Sequence, residues 1–220
     1  MAIDTFYALV EGTIPTPPQA KALYPQDTLA LSVIDLGTLT ITSGFVLAGD
    51  PLVHLEAGPQ FPLPPGEYPV KVTVADLSAQ QDGSNIKHIY LSLLLGQGEP
   101  AIKEPIASTN SEPNNDGYHC FFGDTDQVAF VDPTHLARYA HLPEDGNAWV
   151  DMVSNNWNQF IEAPHCYPKG MANIAFPGAE NGENIVIATT SGHDCVFPVA
   201  LTRDSQGQAL GLHIDMKAWD

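Results

Sequence analysis

The side chains in this sequence best suited to chemistry are its cysteines and histidines, and they sit together. Each of three cysteines lies within two positions of a histidine: His119-Cys120, His165-Cys166 and His193-Asp194-Cys195. Thiolate and imidazole are the natural ligands of zinc, and three such donors plus a water make an open catalytic site. Neighbouring residues on a strand point to opposite faces, however, so one ion cannot readily take both members of a His-Cys pair. The same residues also read as a nucleophile set, with Cys120 or Cys166 attacking and His193 as base beside Asp194. That set needs positive charge near the thiol, and Lys169 alone lies close in sequence to a cysteine. Buried thiols beside surface histidines are the plainer alternative.

Carboxylates form a second set. Asp124, Asp126 and Asp132, with Asp116 upstream, crowd one stretch, and oxygen donors at alternating positions suit Ca²⁺ or Mg²⁺. No glutamate closes the stretch as an EF-hand would, and Asp132 before Pro133 is a natural helix cap. Asp124, Asp132 and Asp194 with His193 as base or ligand would make a metal-dependent hydrolase, provided they converge in one pocket. Ser191-Gly192 with Asp194 otherwise makes an Asx-type turn. Neither phosphate-cradling glycine motif is present. The expectation is therefore no cofactor, with zinc, Ca²⁺ or Mg²⁺ entering only through these sets.

Charge points elsewhere. Twenty-six acids against eight lysines and arginines leave the 220-residue chain at −18. Such a surface repels phosphate backbones and anionic lipids, which argues against nucleic-acid and membrane binding. The acids concentrate in the middle of the chain: Glu112, Asp116, Asp124, Asp126, Asp132, Glu144, Asp145 and Asp151 face Arg138 alone. That run reads as a docking surface for a basic protein, against the alternative of a merely solubilising face. The expected function is a non-enzymatic acidic protein-binding domain, in its sharpest form an immunity-type antitoxin that neutralises a basic bacterial toxin. The start of the chain carries no basic residue before its apolar patch and no run is long enough to span a bilayer, so a cytoplasmic location with reduced thiols is expected.

The elements that must position these residues are mostly strands. Residues 11–30 are proline-rich and read as irregular. Thr38-Leu39-Thr40-Ile41-Thr42 alternates, Ser43-Gly44 turns, and Phe45-Val46-Leu47 returns, which predicts a hairpin. Val70, Val72 and Val74 mark a strand, and Ile89, Leu91, Leu93 and Leu95 share one face of the next. Residues 105–117 read as an exposed loop between a β-rich half and a mixed half. Trp149, Val153, Trp157 and Phe160 predict the main helix over residues 148–161, and a shorter one covers 134–141, capped by Asp132 or Thr134. Strands close the chain, with a turn at Asp204-Ser205-Gln206-Gly207. The expected fold is α+β: one domain over residues 1–220, antiparallel and sandwich-like, with the main helix packed on the sheet.

Four stretches carry a family resemblance. They are Gly37-Thr38-Leu39 through Ser43-Gly44 to Asp50-Pro51-Leu52; Pro65-Gly66-Glu67-Tyr68-Pro69-Val70; Gly123-Asp124 through Phe130-Val131-Asp132; and Ser191-Gly192-His193-Asp194 through Phe197-Pro198-Val199 to Asp204, Gly207 and Asp215. Together, in this order, they resemble a bacterial family catalogued only as domain of unknown function 4241. The third stretch lacks two glycines of that pattern, and Cys195 stands where the pattern has another. The resemblance implies a shared fold and surface, with no agreed reaction.

Overall fold

The computed structural model describes residues 6–53, 55–140, 170–176, 178–190 and 194–219. Thirteen strands among them form two antiparallel sheets. The larger runs in the order β1 (Gly12–Pro15), β2 (Thr28–Ile41), β5 (Gly66–Asp76), β6 (Ile86–Leu94), β13 (Ala209–Asp215), β12 (Cys195–Arg203) and β7 (Ile102–Pro105), with β8 (Cys120–Gly123) also pairing β12. The smaller runs β10 (Met171–Ala175), β11 (Asn184–Thr189), β9 (Gln127–Val131), β3 (Phe45–Gly49) and β4 (Gln60–Pro62). One apolar cluster, including Val70, Val72, Leu91, Leu93, Phe130, Ile185, Phe197 and Ile214, draws on both sheets and forms the filling of a sandwich.

Patterning explains most of this. In β5 the alternating valines reach the shared core, as a half-buried strand should. β9 and β11 are buried along nearly their whole length, and their unbroken apolar runs match that environment. Pro15 sits in β1 at the sheet edge, where its missing N–H breaks no inner ladder. Asp204 closes the β12–β13 turn by accepting the N–H groups of Gln206 and Gln208 at 2.8 and 2.9 Å.

The hairpin expected at residues 38–47 is not formed. β2 pairs β1 and β5, whereas β3 pairs β4 and β9 in the other sheet, so residues 42–44 are a crossing between layers. The segment expected to be irregular, residues 11–30, also holds β1 and the first residues of β2, which begins at Thr28. A second correction concerns β6. Its register against β5 shifts so that Thr73 faces Tyr90 and Val74 faces His88. This bulge turns Ile89 away from Leu91 and Leu93 into a second cluster with Phe6, Leu29, Leu77 and Tyr90. That cluster lies on the other side of the larger sheet.

Helix is a minor component of the described residues: α1 (Pro133–Ala140) and a 3-10 turn at Leu55–Ala57. An α+β description built on a main helix therefore overstates the helix; the described architecture is a β-sandwich. The expected helix over residues 148–161 lies outside the described residues. No helix among them is long and apolar enough to cross a membrane.

Candidate protein-docking face

The loop of residues 105–117 is exposed, as its composition predicts, and leaves the larger sheet after β7 to reach the smaller one. There Thr109 N–H donates to the Gln60 carbonyl at 2.9 Å, and the Asn110 side chain accepts from Gln60 N–H at 2.8 Å. The chain then returns through Tyr118 and His119 into β8. Thus β7 and β8 lie along the same edge of β12, one on each half of that strand.

The β8–β12 pairing forms a short ribbon with two distinct faces. Phe121 and Phe197 point inward, their rings 5.6 Å apart. Gly123 is required by this packing, since a Cβ there would stand 2.5 Å from the Phe197 ring. On the outer face Phe122 and Val196 are directly paired, and they remain 57% and 53% exposed. The register that pairs Gly123 with Cys195 carries Asp194 beside Asp124 at the end of this ribbon, and both are exposed. An apolar pair flanked by two carboxylates results.

Below the ribbon the outer face sinks into a groove of about 350 Å³, lined by Lys103, Tyr118, Cys120, Pro198, Asp215 and Lys217 among others. Lys103 Nζ lies 4.6 Å from the Phe6 ring centre and 5.6 Å from that of Tyr118. Burial lowers its pKa, opposed by the nearby Asp215 carboxylate. Burial likewise raises the Cys120 thiol above its ordinary value, so this cysteine is held away from the thiolate form that nucleophilic attack requires.

Among the described residues the zinc set is dispersed. His119 turns inward, its Nδ1 2.8 Å from Ser111 Oγ and its ring edge-on to Phe61. Cys120 faces the outer groove, whereas Cys195 packs against the core. The two cysteines also pair with opposite ends of the ribbon, about 10 Å apart along the strand, too far to share one tetrahedral ion. His165, Cys166 and His193 lie outside the described residues. Among those described, no group of three or more such donors could hold a metal.

The carboxylates separate into roles. Glu112, Asp116 and Asp124 are exposed and Asp126 is half-buried. Asp132 is not on this surface: it is fully buried at the far end of β9 from Asp124 and Asp126. Its Oδ2 accepts the N–H groups of Thr42 and Ser43 at 2.6 and 2.8 Å, and its Oδ1 accepts those of Thr134 N–H and Oγ1, both at 2.7 Å. Desolvation works against its charge, but these bonds prevail and hold its pKa at about 2. β9 alone spans about 17 Å, so Asp132 and Asp124 do not meet at one ion. Glu144, Asp145 and Asp151 lie outside the described residues.

One organising residue is not legible in the spacing. Asp50, buried, accepts the N–H groups of Asp124 and Thr125 at 2.8 Å each and the Thr125 hydroxyl at 2.6 Å. It fixes the loop from which Asp124 projects. The only signal was Asp50-Pro51, a pattern that suits a turn as readily as a tether.

Fold and surface together define a β-sandwich with an apolar-and-acidic outer ribbon. A family model described as protein of unknown function, DUF4241, matches residues 39–214, and the chain belongs to that family. No curated protein and no solved structure matches it.

Proposed function

We propose that this chain is a non-enzymatic protein-binding domain that docks a basic macromolecule on the outer ribbon of β8 and β12. The observation that carries this reading is the exposed Phe122–Val196 pair flanked by Asp124 and Asp194. Binding energy at protein interfaces concentrates in a few apolar or aromatic anchors, with charges at the rim setting encounter rate and choice of partner. Asp116, exposed and lining the groove, extends the acidic rim toward it. The chain's net charge of −18 adds long-range attraction for a cationic partner.

The sharpest form of the reading is an immunity-type antitoxin that caps a basic bacterial toxin in the cytoplasm, where fast capture matters. The test is binding kinetics against the product of the adjacent gene, measured by biolayer interferometry. Asp124→Lys with Asp194→Lys should slow association by about tenfold or more, and added salt should slow the parent in the same direction. Equal rates for parent and double variant, in a partner that still binds, would sink the docking assignment.

A further inference from the structure

The ribbon's hydrogen-bond register shows which backbone groups remain for a partner. Val199 N–H donates to the His119 carbonyl at 3.0 Å, and these two residues occupy the same rung of the ladder that pairs Phe197 with Phe121 and Cys195 with Gly123. In an antiparallel ladder, bonded and non-bonded rungs alternate. The rungs Phe197–Phe121 and Cys195–Gly123 are therefore bonded, and Pro198–Cys120 and Val196–Phe122 are not. Pro198 fits this phase, since its missing N–H falls on a non-bonded rung.

It follows that the N–H and C=O of Cys120 and Phe122 point away from β12. β8 pairs with β12 alone among the described strands. Asn114 flanks the Cys120 end, its Nδ2 3.4 Å from Cys120 Sγ, whereas Phe122 is open to solvent. An open strand edge is a template for another strand unless it is blunted by charge, proline or cover. At Phe122 the edge instead carries an exposed aromatic ring, with Asp124 and Asp194 at the strand end.

We infer that the partner docks by strand addition: an extended, basic segment of another protein pairs with the edge of β8 opposite β12 through the N–H and C=O of Phe122. This rests on the docking reading above and specifies how the contact is made. Main-chain bonds would supply the grip, the Phe122–Val196 pair an apolar anchor, and the carboxylates the preference for lysine or arginine at the end of the added strand. Charge selects the occupant. A second copy of this chain could offer the same edge, but each copy carries −18, and the acids flanking both edges would repel.

The geometry supplies a specific test, because proline at position 122 removes no bond to β12. The probe is an acetylated, amidated heptapeptide alternating lysine and valine, followed by fluorescence anisotropy at low salt against the full chain, Phe122→Ala and Phe122→Pro. Phe122→Ala loses only the anchor and should bind a few-fold more weakly. Phe122→Pro loses the backbone donor as well and should be weaker than Phe122→Ala by about fivefold or more. A peptide N-methylated on the edge that faces β8 should lose binding to the parent by a similar factor, which keeps the test sound even where Phe122→Pro fails to fold. Amide exchange at Phe122 should slow when the unmodified peptide binds.

Equal binding of the methylated and unmodified peptides, or no binding of either, overturns strand addition. If binding stays insensitive to methylation yet falls with Asp124→Lys and Asp194→Lys, strand addition is wrong and acidic docking stands. If methylation weakens binding while charge reversal changes nothing, the edge pairs strands without charge preference, and both the basic occupant and the docking reading fail. A concentration-dependent dimer of the parent that Phe122→Pro abolishes would assign the edge to self-pairing and also overturn the proposal.

Discussion

Asp132 holds the backbone of Thr42 across ninety residues of sequence, its Oδ2 2.6 Å from the Thr42 nitrogen. That contact sits where the chain crosses from one sheet to the other. The same carboxylate caps α1 from its other oxygen, so one side chain fixes both the crossing and the helix start. A residue whose type and place in the sequence suit a metal or a docking surface is instead a structural clasp.

Removing the clasp should be costly. Asp132→Ala takes the shared carboxylate acceptor from the N–H groups of Thr42, Ser43 and Thr134, which are part-buried, and a loss of about 2 kcal/mol is expected. Urea unfolding should show a lowered midpoint, while binding by the remaining folded protein should be unchanged because Asp132 is far from the ribbon.

Acid should weaken the fold in two separable steps. His213 is fully buried between Thr202 Oγ1 at 2.8 Å and Ser92 Oγ at 2.9 Å, and burial lowers its pKa to about 3. Between the ordinary histidine value of about 6.5 and 3, the unfolded chain takes up a proton that the folded chain refuses. Stability should therefore fall with pH in that window by up to about 1.4 kcal/mol per unit. His213→Phe should flatten this slope in a pH series of chemical melts. Asp132, whose pKa is lowered to about 2, stabilises fully above the ordinary aspartate value and loses its contribution of roughly 2 kcal/mol as pH falls toward 2. Asp132→Asn should shrink this second step without abolishing it, because the Glu183 carboxylate is likewise held at about 2 by hydrogen bonds at Asn181. A His213→Phe profile parallel to the parent between pH 6 and 4 would contradict the assignment.

Asp50 offers a test of positioning. Asp50→Ala frees the backbone of Asp124 and Thr125 and should cost about 2 kcal/mol. It should also loosen the loop that presents Asp124, which amide exchange at Asp124 and Thr125 would register as faster exchange than in the parent.

Cys120 should be a slow thiol. It is half-buried and its pKa is raised, so alkylation by iodoacetamide at neutral pH should lag behind free glutathione and accelerate as pH rises above 9. Peptide mapping by mass spectrometry separates it from the other two cysteines. Alkylation faster than glutathione at pH 7 would revive a nucleophilic role.

Local pattern made the strands legible, and tertiary partners decided what it left open. The valines of β5 and the turn at Asp204 could be read directly, because period-two alternation and side-chain-capped turns are short-range signals. The apparent hairpin at Ser43-Gly44 misled because alternation does not say which sheet a strand joins; Asp132, ninety residues on, supplies that. The shift of Ile89 depends on a bulge set by register with β5, which no pattern within β6 contains. At the proposed docking face, the exposure of Asp116 and Asp124 follows from composition. The placing of Asp124 and Asp194 at one end of the ribbon, and the anchor between Phe122 and Val196, arise from one strand pairing between distant segments.

β12 is a single strand with two occupations. Residues 195–198 build the ribbon with β8, and residues 199–203 lie inside the larger sheet between β13 and β7. A molecule gripping the ribbon thus holds one end of a rod whose other end is clamped on both sides. Tension or ordering at Val196 has a continuous covalent route into the interior, and mechanical load from a captured partner would be borne by interior rungs loaded in shear along the strand.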